Sequence, residues 1–284
     1  MLDTGLVSTQ WVAHRLGDPR LRVVDGSWYL PTSGRDARSE YLAGHLPGAV
    51  FFELDAVSDR ASSLPHMLPR AEQFAEQAGA LGIGDGDEVV VYDGSGANLS
   101  AARVWWMFRA FGHPRVAVLD GGLGKWRAEG RPLERGLVSL PAARLTPRAI
   151  PSGSVHDLAS MRGVLERGQP QIVDTRSAGR FAGTEPEPRP GLRGGHIPGS
   201  RNLPYTQLAR SDGTLLPADA LRERIAAAGV DPTRPVIATC GSGVSACALI
   251  HALHLLGQEQ ASLYDGAWAE WGARNDTPVE RGDA

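Results

Sequence analysis

The chain repeats itself, and the repeat length limits the folds open to it. "RVVDGSW" around Asp25 resembles "QIVDTRS" around Asp174, and "AGHLPGAVFF" around His45 resembles "GGHIPGSRNL" around His196. "VVVYDGSGANLSAARVWW" at Asp93 resembles "VIATCGSGVSACALIHAL" at Cys240, and "VLDGGLGKW" at Asp120 resembles "LYDGAWAEW" at Asp265. The separations are 149, 151, 147 and 145 residues, in one order along the chain. A period of that length is a domain, not a solenoid repeat. The 284 residues therefore read as two tandem domains, 1–138 and 154–284. They are joined across 139–153, a stretch rich in proline and small residues and poor in apolar periodicity.

Within each half, short apolar runs alternate with helical patterns. Val23–Val24, Val89–Val91 and Val116–Leu119 read as buried strands, and Ala71–Leu81 and Ser100–Phe111 as helices. This alternation predicts an α/β fold, a mostly parallel sheet with helices on both faces in each domain. Such folds place their chemistry just beyond the C-terminal ends of the strands.

Composition excludes several function classes. A net charge of -3 and a pI of about 6.2 argue against a general nucleic-acid or membrane-surface binder. No apolar run approaches the ~20 residues that span a bilayer, and the N-terminus lacks a basic start followed by an apolar core, so no secretory signal is expected. Cys240 and Cys247 are the chain's two cysteines. Near one helix, residues seven apart lie roughly 10 Å from each other, beyond the ~7 Å reach of a disulfide. They do not form Cys-x-x-Cys, so neither a zinc site nor a thioredoxin-type site is expected. A reducing cytoplasm is the expected location.

Cys240 ends a buried-strand signal, Gly241-Ser242-Gly243-Val244-Ser245 follows, and a helical pattern begins. Two glycines allow a tight curl in which successive backbone N–H groups converge, and the helix adds its positive end. A cysteine at that focus is favoured as thiolate, its reactive form, and the loop suits an anion or a transferred group. Taken alone, the cysteine also reads as an ordinary buried thiol. The other half carries Asp93 at the equivalent position before the same Gly-Ser-Gly, so the scaffold is repeated and the nucleophile is not. Cysteine phosphatases need Cys-x5-Arg, and here Ala246 occupies the arginine position. The Gly-Ser-Gly after Asp93 lacks the spacing and downstream acid of a dinucleotide fingerprint.

Together these residues resemble the tandem rhodanese-domain sulfurtransferases over nearly the whole chain. The His-(Ile/Leu)-Pro-Gly turns and Asp-Gly-(Gly/Ala)-x-x-x-Trp segments occur in both halves, and the cysteine, as in that family, in the second half only. The loop "CGSGVS" is similar to the Cys-Gly-Ser-Gly-Val-Thr of the 3-mercaptopyruvate sulfurtransferases, with Ser245 for threonine, rather than to the basic Cys-Arg-Lys-Gly-Val-Thr of the thiosulfate sulfurtransferases. Residues 25–41, 51–69 and 179–200 resemble the same subfamily, with Glu53 where it often has aspartate.

The resemblance implies a ping-pong transfer of sulfur from a small-molecule donor, 3-mercaptopyruvate, through a Cys240 persulfide to a thiol acceptor such as thioredoxin, or to cyanide in an assay. No metal or organic cofactor is implied. Gly241, Gly243, Val244 and Ser245 would bind the substrate through the loop. Arg180 and Arg189 match the family's substrate-binding arginines, and arginine can hold a planar carboxylate bidentately. Ser242, His66 and Asp55 match its proton relay, which would bring the first half into a cleft between the domains. Two alternatives stay open: the same chemistry with thiosulfate as preferred donor, and a non-catalytic binding module. His45 and His196 are expected to serve their turns, since both halves have one. Trp126, Trp271, Trp105, Trp106, Phe108 and Cys247 are expected to pack, and Trp28 and Tyr29 are not counted among the site residues.

Overall fold

The computed structural model describes Leu2 and residues 5–282; the outermost residues of the two expected domain spans, 1, 3, 4, 283 and 284, lie outside it. The chain forms two compact units. Unit 1 comprises residues up to Arg60, Leu68–Ile150 and Ala209–Leu215; unit 2 comprises Ala61–Met67, Pro151–Leu208 and Leu216 onward. Each unit thus holds a short arm from the other half of the sequence. The proline-rich stretch lies along unit 1 as far as Ile150: Ala143 N–H donates to Gly79 O, and Thr146 donates to Asp85 through both its amide and its hydroxyl.

Unit 1 runs β1 (Leu6–Val7), α1 (Thr9–Arg15), β2 (Leu21–Asp25), α2 (Ala37–Ala43), β3 (Val50–Phe51), α3 (Leu54–Val57) and α4 (Ala71–Ala80). It continues through β4 (Glu88–Tyr92), α5 (Ala101–Ala110), β5 (Val116–Leu119) and α6 (Gly122–Ala128). Its five strands stand in the order β1-β5-β4-β2-β3, and every pairing is parallel. Parallel strands covered on both faces read as unbroken apolar runs, and Val89, Val90 and Val91 are all fully buried. One face (Val23, Val90, Ala117, Leu119) packs with Val12 of α1 and with Leu123 and Trp126 of α6. On the other, Val104 of α5 approaches Val91 so closely across Gly26 that a Cβ there would meet both at about 3 Å.

Unit 2 runs β6 (Val155–His156), α7 (Leu158–Arg167), β7 (Gln171–Asp174), α8 (Ala178–Ala182), β8 (Arg201–Asn202) and α9 (Ala218–Ala227). It continues through β9 (Val236–Thr239), α10 (Ala246–Leu255), β10 (Ala261–Tyr264) and α11 (Ala267–Trp271). The order β6-β10-β9-β7-β8 repeats that of unit 1, again all parallel. The expected α/β class, parallel sheets and helices are all present. Among the described residues no helix is long and apolar enough to cross a membrane.

The expected packing residues recur as pairs. Trp126 and Trp271 are fully buried, and their indole N–H groups donate to Pro132 O and Pro278 O. His45 stacks on Tyr41 and exchanges backbone hydrogen bonds with Glu134; His196 stacks on Phe181 and does the same with Glu280. Both histidines serve their turns. Trp105, Trp106 and Phe108 are buried on α5, and Cys247 on α10.

The two halves differ where β2 and β7 end. Asp174 faces a buried guanidinium two residues on, Arg176; at the equivalent place Asp25 has Ser27. Without a cation, burial pushes the Asp25 carboxyl up to about 6, although hydrogen bonds from Ser27 and Tyr92 work against the shift. A carboxyl whose folded value lies above its unfolded one binds more protons when folded, so its stability contribution is lost as pH rises through about 4 to 6. Asp25→Asn is therefore expected to stabilise the protein by about 1–3 kcal/mol at pH 8 and by nothing near pH 4, read from urea unfolding midpoints at both pH values.

Candidate active site

β9 is buried along its whole length and stops at Thr239, so Cys240 is the first residue past the sheet. Two neighbours fix the turn that follows. The Trp268 and Ala269 amides at the start of α11 donate to Cys240 O (2.9 Å) and Gly241 O (3.0 Å). From β7, the Thr175 amide donates to Thr239 O and its hydroxyl meets the Ser245 hydroxyl at 3.0 Å. Gly243 has φ +75°, a left-handed conformation that only glycine adopts without strain. Cys247 donates from Sγ to Gly243 O, 3.4 Å away, from one turn into α10.

With the carbonyls held on one side, the amides are left over. Among the described residues no acceptor takes the N–H groups of Gly241, Ser242, Val244 or Ser245. Together with the first turn of α10 they form a backbone concavity of positive potential. Cys240 is 2% exposed, and Ser242 and Val244 are buried with it.

Arg180 reaches this loop from α8. Its Nη2 lies 2.8 Å from where a Cβ on Gly241 would sit, so the glycine makes room for the guanidinium. Its Nε and Nη2 donate to Glu187, Nη2 to Oε2 at 2.6 Å. One of the two guanidinium edges that can grip a carboxylate, Nε with Nη2, is therefore already engaged. Glu187, whose side chain is 2% exposed, also accepts from Nη1 of Arg176 at 2.6 Å. Arg176 in turn holds Asp174 through Nε and Nη2, donates to Gly195 O, and lies 4.4 Å over the Trp268 ring. Its guanidinium is held above the usual value: burial opposes the charge, and Asp174 and Glu187 more than offset it. Arg189 sits half-buried two residues beyond Glu187.

The Ser242 hydroxyl meets His66 Nδ1 at 3.0 Å. His66 is supplied by the arm Ala61–Met67, which belongs to unit 2, and is 5% exposed. Its φ is +59°, rare for a histidine. The arm's counterpart in unit 1, Ala209–Leu215, places Gly213 at the matching position with φ +81°. Asp55 belongs to unit 1, on α3, where the Trp28 indole N–H donates to it at 3.2 Å. Both border a cavity of about 200 Å³ with Tyr29, Arg35 and Asp36.

Sequence reasoning singled out Cys240, Ser242, His66 and Arg180, which unit 2 gathers at one loop, and overlooked Asp174, Arg176 and Glu187. The signal is in the sequence: Glu187 lies seven residues after Arg180 in "GRFAGTEPEPRP" (179–190), and Arg176 two after the repeated aspartate.

Asp93 shows what the same loop does without a thiol. Its carboxylate accepts from the amides of Ser95 (2.8 Å), Ser100 (2.9 Å) and Ala101 (2.8 Å) and from the Ser95 hydroxyl (2.6 Å). The anion is built in, and the loop closes on it. Asp93→Ala is expected to cost about 2–4 kcal/mol by stranding these donors, measured by chemical unfolding.

A model of the rhodanese-like domain matches residues 8–129 and 157–274. The human 3-mercaptopyruvate sulfurtransferase is 47% identical over 275 residues, 95% of this chain and 92% of the human one. Arabidopsis thaliana thiosulfate/3-mercaptopyruvate sulfurtransferase 1 is 44% identical, over 97% of this chain and 78% of its own. The crystal structure of the 3-mercaptopyruvate sulfotransferase SseA from Escherichia coli superposes with a TM-score of 0.84 at 40% identity, covering 93% of this chain and 98% of that one.

Proposed function

The chain belongs to the rhodanese-like family, and from that premise we propose that it is a 3-mercaptopyruvate sulfurtransferase working through a persulfide on Cys240. The observation that carries the reading is the loop after β9: a cysteine at its start, amides from which no group among the described residues accepts, and an arginine over Gly241. The Cys240 thiolate attacks the sulfur of 3-mercaptopyruvate. A sulfur–sulfur bond forms, the carbon–sulfur bond breaks, and its electron pair leaves on carbon as the enolate of pyruvate, which takes up one proton. An acceptor thiolate then attacks the outer sulfur, and the Cys240 thiolate is regenerated. The transfer is split into two easier displacements, and the loop amides stabilise the charged sulfur in both.

Ser242 and His66 supply the proton route. Their hydrogen bond at 3.0 Å links a hydroxyl two residues from the thiol to an imidazole that can relay a proton. Asp55 is the third member of the relay that the resemblance implies. Arg180 holds the donor carboxylate through the part of its guanidinium that Glu187 does not occupy, with Arg189 as the second cation. The acceptor is a thiol, with thioredoxin the protein candidate. Both cysteines are free, which suits a reducing compartment, and we place the enzyme in the cytoplasm.

Intact-mass analysis tests the reading. Incubation with 3-mercaptopyruvate is expected to add one sulfur atom, with pyruvate released in equal amount, and Cys240→Ser to abolish both. Ser242→Ala and His66→Ala are expected to slow pyruvate release by about 10–100-fold while leaving Cys240 open to alkylation. No sulfur adduct on the wild-type protein with either 3-mercaptopyruvate or thiosulfate would overturn the reading; a clear preference for thiosulfate in parallel rate measurements would overturn the choice of donor.

A further inference from the structure

We propose that Glu187 determines which sulfur donor the loop prefers: by cancelling the charge of Arg180 it favours a monoanionic 2-oxo acid over the dianion thiosulfate. The inference rests on the persulfide reading of Cys240 and deepens it.

Four charges stand in a row behind the loop. Asp174 pairs with Arg176 at 2.6 Å, Arg176 with Glu187 at 2.6 Å, and Glu187 with Arg180 at 2.6 Å. The side chains of Asp174, Arg176 and Glu187 are between 0 and 2% exposed, so water screens little between them. Two carboxylates and two guanidiniums sum to zero. Arg180, 16% exposed, is the member that reaches the loop, with Nη2 beside Gly241. Among the described residues its Nη1 has no hydrogen bond. The row therefore offers the donor a directed N–H without a net charge.

That distinction separates the two donors. A monoanion needs one hydrogen-bonding site and little countercharge. A dianion loses twice as much Coulomb attraction for every positive charge cancelled nearby. The loop itself adds none, since Gly241 and Ser242 carry no cation. In unit 1 the same clamp recurs, Arg35 on Glu40 with its guanidinium at Gly94 O, but no arginine follows Asp25 there. The buried second arginine belongs to the unit that holds the thiol.

The experiment is the ratio of kcat/KM for thiosulfate to that for 3-mercaptopyruvate in the full-length chain. Glu187→Gln takes the row from zero to +1 and is expected to raise the ratio about tenfold. Arg176→Met removes a fully buried cation, takes the row to -1, and is expected to lower the ratio. The double variant restores zero and is expected to return the ratio to the wild-type range. Glu187→Asp keeps the charge and disturbs the geometry, so both donors should weaken together. A lost clamp alone would change both donors by one factor in every variant, and that result overturns the proposal; so does a ratio that moves as far in Glu187→Asp as in Glu187→Gln. Should Glu187→Gln fail to fold, the direction of the Arg176→Met shift decides. A wild-type protein inactive with both donors would instead sink the persulfide reading itself.

Discussion

Arg180 and Glu187 meet through one edge of a guanidinium, and that pairing determines what the loop after Cys240 presents to a ligand. With Nε and Nη2 engaged, the arginine is held beside the loop, and its end-on pair of N–H groups, on Nη1 and Nη2, is what it can offer a ligand. The pairing in turn depends on the sheet. β7 and β9 run parallel with Asp174 opposite Thr239, so the aspartate that holds Arg176 and the strand that delivers Cys240 end at the same level. The charge row begins at one strand end and finishes over the loop of the next. Gly241 closes the arrangement, because any side chain there would occupy the space of Arg180.

The duplicate unit shows the same frame serving another end. Its loop carries Asp93, and the carboxylate consumes the donors that the second loop leaves unpaired. A loop that satisfies itself gains stability and loses the means to receive a ligand. The arms tell the same story. Gly213 sits in left-handed backbone close to Gly96 O, where a Cβ would come within 2.9 Å. His66 holds a similar backbone angle at an energetic cost that glycine avoids. Ala267, at φ +53°, repeats the pattern against Gly122 at the start of α11. Both departures from glycine lie in unit 2, one hydrogen-bonded to Ser242 and the other beside the amide that holds Cys240 O.

Much of this was legible in the sequence, for a physical reason. Parallel strands covered on both faces must be apolar throughout, so Val89–Val91 and Val236–Thr239 announce themselves, and a duplicated chain announces them twice. The strand–glycine–helix junction is equally local, which is why Cys240, Ser242 and Gly243 could be named. The charge row is not local. Its members lie at 174, 176, 180 and 187, within one short stretch, but nothing in their spacing says that Glu187 folds back between two arginines. In "GTEPEPRP" two glutamates compete for that place: Glu185 takes the Ser177 hydroxyl instead, and only the path of the loop decides between them. The residues alone hide the arms for the same reason, and only the family resemblance links His66 to Ser242. That His66 packs with unit 2 and Gly213 with unit 1 follows from tertiary contacts that leave no periodic trace.

The charge row also explains why the site is built from buried ions at all. Taking four charges out of water is costly, and a buried pair seldom stabilises a fold more than apolar residues of similar volume would. Stability is therefore a weak account of Asp174, Arg176 and Glu187. Their effect is to place one guanidinium beside Gly241 while cancelling its charge. A lysine or arginine in the loop itself would bring charge without that control, since no buried counter-ion would be paired with it. Anchoring the cation on α8, and its counter-ion on a buried arginine, separates the position of the donor group from the net charge around it. A loop of bare amides can then hold an ionised sulfur, with the charge of the incoming anion weighed by residues that do not touch the sulfur.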